Sequence, residues 1–504
     1  MSASWVVLPV LIPLITACLI ACFFRSRLLS SVLSCSGAGL SLAAAVMIFS
    51  EVLATGTQVT ALGGWQAPFG IVFVADALAA SLVVIAAIIG VAITLYSCAD
   101  LKQRNAYSLY HVMMQILLAG VAGSFLTGDI FNLYVWFEVM LIAAFGLMVL
   151  DAEKPQIDAA IKYAVLNLIS TMVLLLAIGL LYGATGTLNM ADLHSKIQLV
   201  TPSIQVIIAG LFFFGFAIKA AFFPLYSWLP ASYAFLPSTV VALFAALLTK
   251  VGVYAMLRLF TLVFAVDRSG YQNTLIIVAA LTMLLGVLGA ASQHRIKQIL
   301  SFHIISQIGY MLMGLAIYTP LAISGAIFYI IHHIIVKANL FLIGGYIERR
   351  YGSDNLADMG GLFKAFPLLG FLFLIPAFSL AGFPPLSGFW GKFLVIKASL
   401  QTEYYLLAAI ALFVGLLTIF SMTKIWGQAF WKPAPEHVKQ HAISKIDHFF
   451  YLSPVFALAG LTLFIGLLAE PFYQVAAQAS EELLNPQGYI NAVLAETPVK
   501  KVLP

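Results

Sequence analysis

The stretch FNLYVWFEVMLIAAFG (residues 131–146) is a long apolar run with one carboxylate, Glu138, at its centre. A helix rises 1.5 Å per residue, so about 20 apolar residues cross the ~30 Å hydrocarbon layer of a bilayer. Such runs recur along the chain, which is 62% hydrophobic and 9% charged, against roughly 25% charged in ordinary globular domains. The composition excludes a soluble globular fold and predicts an all-α polytopic membrane protein.

The apolar runs predict about fourteen transmembrane helices. The first run is too long for a signal-peptide core, and its basic residues follow it instead of preceding it, so we interpret it as the first span. The predicted spans are 5–24, 28–50, 71–95, 108–127, 130–150, 160–183, 204–229, 236–263, 272–291, 299–318, 321–346, 366–400, 404–428 and 452–472.

The basic residues of the predicted loops fall mainly on one side. With the N-terminus outside, the cytoplasmic loops carry 13 of them: Arg25, Arg27, Lys102, Arg104, Lys154, Arg295, Lys297, Arg349, Arg350, Lys364, Lys432, Lys439 and Lys445. The opposite side carries 4: Lys196, Arg268, Lys500 and Lys501. Because positive charge favours the cytoplasmic side, both termini are expected outside.

Two pairs of short segments indicate an internal repeat. Residues 186–193 (GTLNMADL) match 352–359 (GSDNLADM) at four positions, and FPLYSW from Phe223 resembles FPPLSGFW from Phe383. The offset is five spans, an odd number, so the second copy must be inverted. Proline breaks a helix, and broken helices at matching places of inverted repeats indicate a transport site. The expected breaks are at Pro224 and at Pro384 and Pro385.

Ionisable residues at mid-span are costly, at ~2.5–3.5 kcal/mol each on insertion scales, and therefore mark candidate ion pathways. Glu138 is the one acidic residue at the middle of a predicted span. The mid-span bases are Lys219, Lys250, Lys337 and Lys392. The nearby histidines are His303, His332 and His333. Leucine would serve for packing alone, so these residues predict a proton or cation pathway.

Lysine suits proton handling, because burial lowers its pKa and a nearby carboxylate raises it again. We expect Glu138 to be the partner of Lys219, and His333 with Lys337, four residues apart on one helical face, to relay between the halves. A static ion pair between helices is the alternative for Glu138, Lys219, Lys250 and Lys392. Hydrogen-bonded packing is the alternative for His303 and His332.

Other charged residues lie toward span ends, where long side chains reach the headgroups. We expect this of Arg258, and we expect Asp76 at the membrane interface. Lys424 also lies toward a span end but stays a further candidate, since its span matches that of Lys250 in the repeat.

These residues carry a resemblance along nearly the whole chain to the antiporter-like subunits shared by respiratory complex I, membrane-bound hydrogenases and multisubunit Mrp antiporters. Glu138 in span 5, Lys219 before the proline break, Lys250 in span 8 and Lys392 in span 12 match the family pattern. The stretches 131–142, 246–260 and 485–494 most resemble the D-type subunits of the Mrp Na⁺/H⁺ antiporters. One position departs from the complex I relatives, where span 11 often carries His-x3-His-x3-Lys: here Tyr329 precedes His333 and Lys337.

The resemblance implies that spans 4–8 and 9–13 form two inverted five-helix units, each a half-channel. The implied division is 1–100 (spans 1–3), 101–265, 266–430, and 431–504 with span 14 and an external tail. It further implies a bacterial inner membrane, a hetero-oligomer with other antiporter subunits, contact with lipid, and exchange of Na⁺ or another alkali cation for H⁺.

Three functions remain open from the sequence: an Mrp antiporter subunit, a proton-pumping subunit of a redox complex, and a non-conducting subunit that binds quinone or lipid. The third predicts apolar residues at Glu138, Lys219 and Lys250, which the chain does not have. No dinucleotide fingerprint, phosphate loop or metal-ligand cluster occurs, which predicts a transporter subunit, not an enzyme, with no cofactor, no metal site and no nucleic-acid partner.

Overall fold

A computed structural model of the chain describes residues 4–102, 104, 106–265, 270–435 and 441–495. Arg268, Lys439, Lys500 and Lys501, which entered the loop count, lie outside these ranges. Within the described part, thirteen helices are long and apolar enough to cross a membrane. A fourteenth span consists of two shorter helices in series, so the predicted number is confirmed.

The first half of the bundle contains eight spans. They are α1 (Leu8–Cys22), α2 (Arg27–Thr55), α3 (Ala77–Asp100), α4 (Tyr107–Leu126), α5 (Ile130–Met148), α6 (Lys154–Thr185), α7a (Pro202–Ala220) with the short α7b (Trp228–Tyr233), and α8 (Ser238–Leu262).

The second half begins with α9. Its helices are α9 (Gln272–Ser292), α10 (Ile296–Ile317), α11 (Pro320–Tyr351), α12a (Pro367–Ala381) with α12b (Ser387–Gln401), α13 (Tyr405–Ile425), α14 (Lys445–Leu467), and the tail helices α15 (Ala469–Leu484) and α16 (Gln487–Leu494).

The largest boundary error lies at span 14, whose helix begins at Lys445 and not at residue 452, and span 3 was also placed too early, at residue 71. The structure instead has a two-stranded antiparallel hairpin, β1 (Gln58–Ala61) with β2 (Val72–Ala75), just before the helix. Asp76 then caps α3, its Oδ1 accepting the Ala79 N–H at 2.9 Å. An apolar strand and an apolar helix start look alike in hydropathy, so the sequence did not separate them.

The repeat is visible in the backbone. Helices α6 and α11 each have 32 residues and end at a left-handed glycine, Gly186 and Gly352. The chain then forms matching isolated bridges, Asp129 with Asn189 and Arg295 with Asn355. Corresponding residues of these features lie 166 positions apart, so two five-span units of the same fold follow one another and run in opposite directions.

The two helix breaks also match, with a register that differs slightly from the sequence similarity. Ala221 (φ 61°) and Gly382 (φ 93°) are the left-handed residues that end α7a and α12a. After each, a leucine N–H, that of Leu225 and that of Leu386, donates to a phenylalanine carbonyl three residues back. In this register Pro224 corresponds to Pro385 and not to Pro384, and a cis peptide bond precedes both.

The centre of the molecule is formed by α8, α10 and α11, whereas α1, α2, α6, α9 and α13 lie at the outside. Helices α8 and α11 are buried along their whole apolar length. They pack against each other, and α11 also packs against α10 and α12b. Most of the candidate pathway residues therefore lie on helices whose apolar lengths are buried inside the protein.

Arg258 and Asp76 lie near span ends, as expected, but they form an ion pair buried inside the protein instead of extending to the headgroups. Arg258 is 3% exposed and Asp76 1%. The guanidinium binds both carboxylate oxygens, at 2.5 and 2.9 Å, and lies between the rings of Tyr254 and Tyr489. Tyr489 belongs to α16, so the tail helices cover an arginine that would otherwise extend to the membrane surface.

We expect Asp76→Asn to lower the free energy of unfolding by about 3–5 kcal/mol, since the amide keeps an oxygen for the helix cap but removes the charge of the one carboxylate that the buried Arg258 guanidinium contacts directly. Thermal melting followed by fluorescence-detected size-exclusion chromatography measures the loss. The control is Lys196→Ala, which removes an exposed pair with Asp192 at 3.9 Å and should cost less than about 1 kcal/mol. Equal melting of the two variants would contradict the assignment.

Candidate functional site

The first group of pathway residues lies where α5 meets α7a. Lys219 is in the last turn of α7a and is 7% exposed, with its ammonium 5.5 Å from the centre of the Phe137 ring. Glu138 is the next residue on α5, and its Oε1 is buried without a hydrogen bond from any described residue. The two charges act on each other electrostatically, but no ion pair of 4.0 Å or less joins them. Glu138 and Lys219 therefore interact electrostatically without direct contact.

A small cavity adjoins the Lys219 ammonium. Phe137, Tyr163, Asn167 and Trp228 are among its lining residues, and its volume of about 20 Å³ is enough for about one water molecule. The Asn167 amide gives this otherwise mostly apolar gap a polar wall beside Lys219.

Helix α8 brings Lys250 close to the first helix break. Gly252 permits this approach, since a Cβ there would be 2.8 Å from the Ala220 amide nitrogen and 3.1 Å from the Lys219 carbonyl carbon. Lys250 is fully buried, and its ammonium donates to the Ala245 carbonyl of its own helix. Lys219 and Lys250 thus lie on two helices whose backbones are in direct contact.

The middle of the line lies on α10 and α11. His303, His333 and Lys337 are all fully buried. Lys337 donates to the Leu300 carbonyl of α10 at 3.0 Å, while both ring nitrogens of His303 and of His333 have no hydrogen-bond partner among the described residues. The charges of Lys250, Lys337 and Lys392 all act electrostatically on His333. The structure therefore brings these residues together at the centre.

Lys392 lies beyond the second break and reaches back to it. Its ammonium donates to the carbonyls of Leu380 and Ala381, the last two residues of α12a, at 2.9 and 3.2 Å. The centres of the Tyr310 and Tyr329 rings lie 4.6 and 5.9 Å from it. The lysine thus holds the two half-helices together.

His332 belongs to a hydrogen-bonded cluster at the same break. Its Nδ1 lies 2.8 Å from Ser387 Oγ, which lies 3.0 Å from Ser379 Oγ, and the Gly388 N–H donates to Ser379 at 3.1 Å. This is the packing alternative for His332 at one ring nitrogen, while Nε2 has no partner among the described residues. Ser379 and Ser387 flank the proline pair in the sequence. This position was the available sign that they contribute to the helix break, and the sequence analysis did not use it.

Tyr329, which precedes His333 and Lys337 on α11, belongs to a chain of hydrogen-bonded side chains. Its hydroxyl donates to Gln307 Oε1, and Gln307 Nε2 is 3.4 Å from Thr418 Oγ1 on α13. Lys424, the further candidate, lies at the end of α13 and donates to the carbonyls of Ala291 and Gln293 at the end of α9. It caps that helix, and its charge also acts electrostatically on His303 of the central group.

A cavity of about 790 Å³ opens on the side where the predicted cytoplasmic basic residues lie. Lys297 and Glu348 line it as an ion pair at 2.8 Å. Asp100 and Glu348 also accept hydrogen bonds from the hydroxyls of Thr239 and Ser238, at 2.7 and 3.0 Å. Because these two residues begin α8, the polar cavity reaches the end of the helix that carries Lys250.

Taken together, the site contains titratable side chains and backbone carbonyl oxygens on the helices around the two breaks. The chain is also similar to known proteins over most of its length. The family model described as "NADH:quinone oxidoreductase/Mrp antiporter, TM" matches residues 127–418. The curated D-type subunit of the Na(+)/H(+) antiporter of Alkalihalophilus pseudofirmus is 46% identical over 97% of this chain and 99% of its own.

Two solved structures share the fold over almost their entire length. A chain of the Mrp complex from Dietzia sp. DQ12-45-1b is 32% identical, with a TM-score of 0.90 over 98% of this chain and 100% of that one. A chain of a membrane-bound sulfane sulfur reductase, an archaeal respiratory membrane complex, is 27% identical, with a TM-score of 0.91 over 97% of this chain and 99% of that one.

We expect Gly382→Ala to destabilise the protein by about 1–2 kcal/mol or more, because φ is +93° there and the new Cβ would lie 2.9 Å from Lys392 Cδ. The matched control is Gly460→Ala in α14, which has open space around it and should gain roughly 0.5–1 kcal/mol. Thermal melting of both variants in detergent measures the difference, and a stable Gly382→Ala protein would refute the close contact.

Proposed function

Because the chain belongs to the family of NADH:quinone oxidoreductase and Mrp antiporter membrane subunits, we propose that it is an ion-translocating subunit of an Mrp-type Na⁺/H⁺ antiporter. It moves protons along the buried line of Glu, Lys and His residues, and this movement drives Na⁺ out of the cell. It works as one of several different subunits of a membrane complex and carries out no redox chemistry itself.

One observation carries this proposal. Lys250, Lys337 and Lys392 bind backbone carbonyls, and among the residues that the structure describes no carboxylate lies within 4.0 Å of any of them. A buried lysine held only for structure should have a fixed counter-charge, because leaving one charge of a buried pair alone is strongly destabilising. Lysines that pair only with neutral carbonyls can take up and release protons.

The proposed route has two halves. Glu138 and Lys219 form the first, since moving a charge near this pair would change whether Lys219 holds its proton. Lys250 receives the proton and passes it through His333 and Lys337 to Lys392. His303 and His332 assist as polar neighbours, and the half-channels of units 101–265 and 266–430 open on opposite sides.

The proposed setting is a bacterial inner membrane with both chain termini outside. The 790 Å³ cavity then faces the cytoplasm, with Lys102, Arg104 and Arg349 at its walls, in agreement with the positive-inside rule. The exposed apolar faces of the outer helices contact lipid or the other antiporter subunits, as in the complex that supplies the similar chain.

A second candidate is a proton-pumping subunit of a redox-driven complex, favoured by the similarity to the sulfane sulfur reductase chain. The same line of residues would serve both functions. Dependence on Na⁺ separates them, because a redox pump needs an electron donor and no Na⁺ gradient.

We expect Glu138→Gln and Lys219→Ala to slow Na⁺-dependent ΔpH relaxation in inverted vesicles that contain the whole complex. The expected loss is roughly tenfold or more, the effect of about 1.4 kcal/mol on the barrier. Lys162→Ala, which removes an exposed lysine of α6, is the control and should exchange normally. Normal exchange by both variants, with normal assembly, would move the transport site to another subunit.

We expect alkaline phosphatase fused to the C-terminus to be active, since this enzyme folds only outside the cytoplasm. A fusion after Lys432, in the loop between α13 and α14, should be inactive, while green fluorescent protein at each site should give the opposite result. Reversed activities would invert the proposed orientation of the whole chain.

A further inference from the structure

The end of α12a leaves four backbone carbonyls to be satisfied, as every helix end does. The Phe378 and Ser379 carbonyls accept the Gly382 N–H, and Phe378 also accepts that of Phe383, at 3.0–3.1 Å. The Leu380 and Ala381 carbonyls are bound by the Lys392 ammonium. A tethered cation therefore occupies the negative end of a helix inside the membrane.

The surroundings of this ammonium complete a cage for a cation. The faces of the Tyr310 and Tyr329 rings point at it, and Lys392 is 5% exposed. Aromatic faces attract cations, and carbonyl oxygens at the ends of half-helices are the ligands that coordinate Na⁺ in other transporters. The two carbonyl oxygens and the two ring faces therefore attract any small monovalent cation, a sodium ion as well as an ammonium.

We infer that this cage is an alkali-cation site, at which a bound Na⁺ and the Lys392 ammonium compete for the carbonyl oxygens of Leu380 and Ala381. The inference rests on the proposed antiport function and locates its Na⁺-binding step at the second helix break. Two unit charges about 4 Å apart repel by about 4 kcal/mol at an effective dielectric constant of 20, so the cage holds one cation at a time.

The exchange is balanced in charge and atoms. Lys392–NH₃⁺ gives one proton to the buried line on α11 and becomes Lys392–NH₂, while one Na⁺ takes the two carbonyl oxygens. The net charge of the cage stays at +1. The proton acceptors nearest this side are His332 and His333, whose rings lie 5.2 and 6.1 Å from the ring of Tyr329.

The first break cannot form the same cage. In the register of the two breaks, the carbonyls of Lys219 and Ala220 correspond to those of Leu380 and Ala381, but the position equivalent to Lys392 is Ala231. Lys219 lies on the half-helix before the break, and its ammonium faces the Phe137 ring. One competing site per chain is expected, in the second unit.

Equilibrium binding of ²²Na⁺ to the purified complete complex in nanodiscs tests the inference. Lys392→Arg keeps a permanent cation in the cage, so it should lose one Na⁺ site per chain or weaken it at least tenfold, which is about 1.4 kcal/mol. Lys392→Met frees both carbonyls and should bind Na⁺ more tightly than the wild type, yet no longer exchange it for protons. Lys397→Met removes an exposed lysine of the same half-helix and should behave as the wild type in both assays.

Wild-type binding by Lys392→Arg, or loss of the site in Lys392→Met, would overturn the inference. If the arginine variant does not assemble, the methionine variant decides alone, and unchanged or weaker binding counts against the cage. Na⁺/H⁺ exchange by the wild-type complex tests the proposed function separately. If the wild type exchanges the two ions and Lys392→Arg still binds Na⁺ normally, only the location of the Na⁺ site is rejected.

Discussion

A backbone carbonyl inside the hydrocarbon layer must find its hydrogen bond within the protein, and the two broken helices place this demand at the centre of the molecule. Left-handed residues fold the chain back on itself at both breaks, and the Trp228 indole N–H donates to the Ile218 carbonyl at the first. At the second break a lysine ammonium does the same work. The Lys392 ammonium thus satisfies carbonyls that would otherwise lack a hydrogen bond, and the same group can also carry a proton.

Much of the architecture could be predicted from the sequence, because a span needs only a sufficient length of apolar residues. The pathway residues could be identified for the same reason: a charge is conspicuous in an apolar run. Their partners could not. Lys337 and Lys392 bind backbone carbonyls, which every residue has, and the pairing of Arg258 with Asp76 spans 182 positions and leaves no local mark.

The two five-helix units share a backbone but not a set of side chains. Their long helices, terminal glycines and bridges correspond residue for residue, whereas Lys219 precedes its break and Lys392 follows its own. Backbone symmetry follows from packing and hydrogen bonding, which tolerate many sequences. The functional groups obey no such symmetry, so each unit can perform a different step of one transport cycle.

The complete burial of α8 and α11 has a consequence for how such subunits are reused. The outer helices carry most of the exposed apolar surface, so sequence changes that adapt this surface to a new partner can leave the candidate residues on α8 and α11 unchanged. The central helices and the outer surface can therefore change independently of each other. This separation accounts for the presence of the same fold in a chain of an Mrp complex and in a chain of a respiratory membrane complex.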